Sequence, residues 1–173
     1  CYGGYKYIEG RWTSVARSLF EHYQLKKDSK ILDVGCGKGF LLYEFKKLYP
    51  EIEINGLDIS QYAIDNSKEE IKQYLNIGNA NYLPWENNTF DLVISINTLH
   101  CLHNYDLMKS LKEIERVGKK NKYICVESYR NEEEKANLLY WQVTCEAFNT
   151  PLEWLWWFEQ SNYSGDYSFI YFK

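Results

Sequence analysis

Apolar positions along this chain change period repeatedly, from short continuous runs to helical spacing and back. Ile31, Leu32 and Val34 form a brief apolar run with the β-branched bias of a strand covered on both faces. Leu41, Leu42, Phe45 and Leu48 then recur at helical spacing. Glu53 to Leu57 reads as a second strand ending at Asp58, and Ser60 caps a helix whose buried face is Ile64, Ile71 and Leu75. Phe90 to Ile96 is a strongly apolar central strand. Leu107, Leu111 and Ile114 mark the following helix, and Tyr123 to Val126 the next strand, leading to Glu127. Thr150 and Pro151 open a helix through Gln160, and Tyr167 to Phe172 alternates polar and aromatic residues like a closing strand. This alternation predicts an α/β fold: a single domain with a doubly wound, mainly parallel sheet.

The junction after the first strand carries the most chemistry. Gly35, Gly37 and Gly39 follow Val34 at once and lead into the helix, so the unit is strand, glycine turn, helix. Glycines there open backbone conformations closed to other residues and let a ligand approach the main chain. The spacing is neither the G-x-G-x-x-G of dinucleotide folds nor the G-x-x-x-x-G-K-[ST] of a phosphate loop. Asp33, two positions before the first glycine, suits a ligand whose nearby end is cationic and would repel a pyrophosphate.

Leu32 to Gly39 resembles the first motif of the class I S-adenosylmethionine-dependent methyltransferases, and further motifs follow in that family's order. Asp58 closes the second strand. Gly78-Asn79-Ala80 with Leu83-Pro84-Trp85 and Thr89 to Val93 is similar to the family's third motif, with Asn79 where Asp is common. Glu113-Ile114-x-Arg116-Val117 resembles its "EI-x-RVL" helix end, followed here by Gly118-Lys-Lys-Asn-Lys122 instead of a proline–glycine turn. The resemblance implies a Rossmann-like fold with S-adenosylmethionine as cofactor and S-adenosylhomocysteine as product. It implies a cofactor site made by Asp33, Gly35, Cys36, Gly37, Gly39, Asp58, Ile59, Asn79, Ala80, Ser95 and Asn97. Asp58 would take the ribose hydroxyls and Asn79 the adenine amino group. The division expected is residues 1–29 as an aromatic segment and leading helix covering the site, and 30–173 as the core. An aromatic lid or insertion is expected around 129–150.

Composition narrows the partners. The chain has 173 residues, enough for one three-layer core, and a net charge of −4. Lys119, Lys120 and Lys122 cluster, but they read as a solvated turn before a strand and make no basic stripe, which disfavours a nucleic-acid substrate. No apolar run reaches membrane-span length. Five cysteines show no C-x-x-C pair and no zinc spacing, so no metal is expected and the thiols read as reduced, in a cytoplasmic protein. Cys1 stands where a native chain would carry Met, so a preceding piece is expected. The partner expected is a small-molecule substrate, with the chain acting as a monomer or homodimer.

Acceptor chemistry is expected beyond the carboxyl ends of the strands. His100, in a Leu-His pair after the central strand, is a candidate base, since imidazole titrates near pH ~6.5; its plainer role is packing. Tyr7 is a second candidate base. Tyr5 and Arg11, in the glycine- and tyrosine-rich start, and Tyr129 and Arg130, after the strand ending at Glu127, are candidate substrate contacts. Arg130 can hold a phosphate bidentately or simply pair with Glu132 to Glu134. Trp141 is placed as a lid beside Gln142, while Trp154, Trp157 and Phe158 share one helix face and read mainly as core.

These residues read together as methyl transfer by in-line displacement to a small polar acceptor. A non-catalytic subunit binding S-adenosylmethionine or adenosine is the alternative. Similarity extending to the Tyr-Gly-Gly-Tyr-Lys-Tyr start and to Val126-Glu-Ser-Tyr-Arg130 resembles small bacterial methyltransferases of surface-polysaccharide biosynthesis. That resemblance implies a sugar, a nucleotide-linked sugar or a phosphorylated polysaccharide precursor as acceptor.

Overall fold

Consecutive residues of the central strands face opposite layers, and this builds the molecule. The structure, a computed structural model, describes residues 6–142 and 144–173. Six strands are found among them: β1 (Lys30–Val34), β2 (Glu53–Asp58), β3 (Leu75–Ile77), β4 (Phe90–Ile96), β5 (Gly118–Glu127) and β6 (Asp166–Ile170). They lie in the order β3-β2-β1-β4-β5-β6, every neighbouring pair parallel. Ile31, Leu92 and Ile94 point to one layer and Leu32 and Val93 to the other, as a pleat of period two requires.

The first layer is covered by α1 (Thr13–His22), α2 (Phe40–Leu48) and α4 (Glu69–Lys72), through Ala16, Leu19, Leu41, Phe45 and Ile71. The other is covered by α5 (Asn104–Val117) and α7 (Pro151–Gln160), through Leu107, Leu111, Ile114, Trp154 and Phe158. Helix α7 begins as expected: Thr150 and Glu153 form a reciprocal capping box with Pro151 in the first turn. The chain winds outward from β1 to β3, then returns to β4 beside β1. That reversal opens a crevice at the carboxyl ends of β1 and β4.

Two expectations change. Ile64, Ile71 and Leu75 do not share one helix. The chain makes α3 (Gln61–Asp65), breaks, makes α4, and Leu75 begins β3. The break is local: Asn66 Nδ2 donates to the Tyr62 carbonyl at 2.9 Å and Ser67 Oγ to the Ile64 carbonyl at 2.8 Å, ending the helix with side-chain bonds. Lys119 to Lys122 is no turn, because α5 runs directly into β5. Lys122 is buried, donating to Glu115 at 2.8 Å and to Ser164 at 3.1 Å. Part of the stretch 129–150 forms α6 (Glu132–Trp141), capped by Asn131, whose side chain accepts the Glu134 N–H. Among the described residues no helix is long and apolar enough to cross a membrane.

Candidate active site

The glycine turn is shaped by three left-handed residues in five. Gly35, Gly37 and Gly39 have φ of 79°, 54° and 70°. Gly35 is also a close approach: a Cβ there would stand 2.1 Å from Thr98 Oγ1. At Gly37 an added Cβ would meet nothing within 4 Å, so this backbone faces open space. Asp58, at the end of β2, fastens the turn. Its carboxylate accepts the Gly37 N–H at 2.7 Å and the Ser60 N–H at 2.8 Å, leaving lone pairs on each oxygen for a ligand.

Between these elements lies a pocket of about 400 Å³, within the range of a single small-molecule site. Asp33, Gly35, Cys36, Gly37, Asp58 and Asn97 line it, so six of the residues expected around a cofactor converge there. Asp33 is buried, and its carboxyl is pushed up to about 7, first by burial and then by the charge of Asp58. A cation placed beside it would restore the ionised form. Burial likewise pushes the Cys36 thiol well up. Asn97 is held at φ 56° while its N–H donates to the Cys125 carbonyl, and its Oδ1 is buried with no partner among the described residues.

The other expected cofactor residues do not line the pocket itself. Gly39 caps α2, where a Cβ would collide with Ile71. Ile59 is 72% exposed next to Asp58. Asn79 spends one lone pair of its amide oxygen on the Asn81 N–H at 3.1 Å, and Ala80 is core. Ser95 is buried, donating to the Val34 carbonyl at 2.9 Å, so it ties β4 to β1 without lining the pocket. Trp12, Thr98, Tyr62 and Cys101 also line the pocket; Thr98 and Cys101 belong to the segment after the central strand expected beyond its carboxyl end, and Tyr62 carries no signal in the sequence. Trp12, heading α1, belongs to the segment expected to cover the site.

The candidates for acceptor chemistry are corrected most. His100 is fully buried and absent from the pocket lining, and burial lowers its imidazole to about 4. Such a ring does not reach an acceptor. Tyr7 donates its hydroxyl to Glu44 in a short hydrogen bond, and that bond is the main reason its phenol is raised far above the usual value. A phenol held this way is a poor base. Arg130 is engaged by Glu134 through side chain and backbone N–H, and its guanidinium lies over the Tyr171 ring at 4.1 Å. Trp141 ends α6 and packs on Phe172, while Tyr129 packs beneath Lys135. Neither lines the pocket, and neither does the exposed Arg11. Tyr5 lies outside the described residues.

The fold, the reversed strand order and an acid before a glycine turn meet in one family. The chain belongs to the methyltransferase domain family, whose model matches residues 25–162. It is 35% identical over 113 residues to an uncharacterized methyltransferase of Schizosaccharomyces pombe, covering 58% of this chain and 40% of that protein. It is 29% identical to the demethylmenaquinone methyltransferase of Symbiobacterium thermophilum, covering 69% of this chain and 50% of that enzyme. The chain thus spans half or less of the length of these two curated relatives. Among solved structures, the YcgJ protein of Bacillus subtilis superposes with a TM-score of 0.69 at 17% identity, covering 86% of this chain and 67% of that one. That likeness is one of fold. Family membership implies S-adenosylmethionine as the cofactor.

Proposed function

We propose that this domain transfers the methyl group of S-adenosylmethionine to a small polar acceptor. The observation that carries the reading is the pair of carboxylates, Asp33 and Asp58, on either side of a glycine turn at the crevice where strand order reverses. The donor set fits the group. Asp33 offers a buried carboxylate to a cationic end, and Asp58 keeps lone pairs for ribose hydroxyls. Ile59 presents an apolar face for a purine, with the Asn79 amide oxygen able to accept one further bond. When bound, S-adenosylmethionine supplies a methyl group already activated by its sulfonium.

The protein's share is then orientation. Trp12, Phe40 and Leu41 give the pocket an apolar side that excludes water, and Thr98 and Cys101 close the side toward β4. Holding an acceptor in line behind the reacting carbon supplies much of the rate in such transfers. Among the described residues no histidine lines the pocket, so no imidazole is assigned to take a proton from the acceptor. Because Arg130 is already paired with Glu134, an uncharged sugar suits this reading better than a nucleotide-linked sugar or a phosphorylated precursor held by that arginine.

Calorimetric titration with S-adenosylhomocysteine, set against NAD, tests the cofactor, and transfer of a labelled methyl group to a panel of sugars and amines tests the reaction. Micromolar binding of S-adenosylhomocysteine and none of NAD is expected. Absence of binding at millimolar concentration would overturn the reading.

A further inference from the structure

The turn after β4 joins the pocket wall to a buried polar cluster. Thr98 and Cys101 line the pocket, while His100 between them turns inward and is 0% exposed. It faces Glu127, the last residue of β5, which is 2% exposed. His100 Nδ1 accepts the Glu127 backbone N–H at 3.4 Å, which leaves the imidazole proton to Nε2. That nitrogen lies 3.4 Å from Glu127 Oε2, in ion-pair contact, and neither atom makes a hydrogen bond among the described residues. Glu127 Oε1 accepts the Gln142 side chain at 2.8 Å, and its backbone carbonyl accepts the Trp154 indole at 3.0 Å. The His100 carbonyl accepts the N–H groups of Glu146 and Ala147, both at 2.9 Å.

We propose that His100 and Glu127 are a positioning pair that sets the Thr98–Cys101 wall of the cofactor pocket against β5 and the segment around Glu146. The assignment rests on the methyltransferase reading of that pocket. Neither residue is catalytic, since neither touches the pocket. Their effect passes through Thr98, whose hydroxyl donates to the Gly35 carbonyl at 3.2 Å and so meets the glycine turn itself.

A second proton finds no acceptor among the described residues: on Nδ1 it would point at the Glu127 N–H, and on Oε2 it would sit beside the Nε2 proton 3.4 Å away. Either way a donor meets a donor in a buried site, where an unmade hydrogen bond is costly. The ring or the carboxyl must then move, and the wall moves with it. Among the described residues, the other titratable groups near the pair are the thiols of Cys101 and Cys145 and the carboxylate of Glu146, itself 3.6 Å from His103. The two thiols are held protonated, chiefly by burial.

The test compares S-adenosylhomocysteine affinity in the wild type and in Glu127→Gln from about pH 7 to about pH 5, a window above the lowered His100 imidazole and on the side toward which burial raises the Glu127 carboxyl. An amide oxygen preserves the contact with Nε2 but takes up no proton. Wild-type affinity is expected to fall roughly tenfold more than the variant's over this range. Asp33 titrates in both proteins, so the difference between the two profiles is the readout. Parallel profiles in folded proteins overturn the proposal. Should Glu127→Gln not fold, nitrogen-15 spectra of the wild-type histidines decide. One resonance set in the Nε2–H form through neutral pH supports the pair, and a His100 imidazolium appearing near the ordinary value overturns it. A wild type that binds no S-adenosylhomocysteine at pH 7 overturns the cofactor reading instead, and the same spectra still decide the pair.

Discussion

Asp58 holds Gly37. The carboxylate at the end of β2 accepts the backbone N–H of the second glycine of the turn after β1 at 2.7 Å, so the acid expected to meet a ribose also shapes the loop beneath the cofactor. Asp58→Ala therefore removes two roles at once. Hydrogen bonds to charged groups contribute about 1.5–3 kcal/mol each, so cofactor affinity should fall roughly ten- to two-hundredfold. The empty protein should lose stability as well, because the Gly37 and Ser60 N–H groups lose their acceptor. Paired calorimetry and thermal unfolding check this. An unchanged melting temperature with weakened binding would mean that the turn holds its shape without Asp58.

Gly35 and Gly37 share a left-handed backbone but differ in surroundings, and Ala separates them. At Gly35 the new methyl would lie 2.1 Å from Thr98 Oγ1 and 2.2 Å from its Cγ2, so the turn and the β4 wall must part. At Gly37 it meets open space, and the cost is the backbone strain of about 1–2 kcal/mol. Gly35→Ala should be strongly destabilised. Gly37→Ala should fold, yet bind S-adenosylhomocysteine poorly because its methyl occupies the crevice. Urea denaturation of both variants and titration of the second read this out. Equal destabilisation of the two would contradict it.

Much of this was legible before any coordinates, for reasons that differ by element. Phe90 to Ile96 and Pro151 to Gln160 match their elements residue for residue, since an unbroken apolar run and a Thr-Pro start are local signals. The glycine turn and Asp58 were legible because their spacing is itself the chemistry. The role of Thr98 was not, because it depends on packing across from Gly35, 63 residues earlier in the chain. His100 misled for a related reason. A histidine at a strand end looks like a base, and only the fold shows that its ring turns toward Glu127. Arg130 was ambiguous in sequence, and its pairing is fixed by Glu134, which from the first turn of α6 reaches back to the Arg130 N–H and guanidinium ahead of the helix.

Asp33 makes the empty protein sensitive to pH. Its carboxyl is held at about 7 in the folded state, against an ordinary value near ~3.9 in the unfolded chain. Between these values the folded protein keeps a proton that the unfolded chain has released. This contribution to stability is therefore complete below about pH 4 and is lost as pH rises through about 7. A cationic ligand end reverses the preference, so the stabilisation given by S-adenosylmethionine should grow from pH 5 to pH 8, to an extent of about a tenfold gain in affinity per unit of restored pKa. Thermal unfolding with and without ligand measures it. Asp33→Asn should flatten the pH slope of the empty protein and abolish the ligand's pH-dependent gain; a slope parallel to the wild type's would exclude Asp33 as its source.

Lys122 and Glu115 form a buried pair far along the chain from this chemistry, and the two partners should respond unequally to replacement. The Lys122 side chain is 2% exposed and Glu115 27%. Glu115 also accepts the Ser164 N–H and hydroxyl, both at 2.9 Å, whereas Lys122, among the described residues, donates to Glu115 and the Ser164 hydroxyl alone. Lys122→Met removes the buried ammonium, keeps the aliphatic stem and leaves Glu115 two partners, so stability should change by less than about 1 kcal/mol or rise. Glu115→Ala strands a buried charge and should cost about 3–5 kcal/mol. Urea unfolding of the two variants gives the comparison directly. Equal losses would mean that the pair acts as a packed unit, with the ammonium drawing its support from the strand around it.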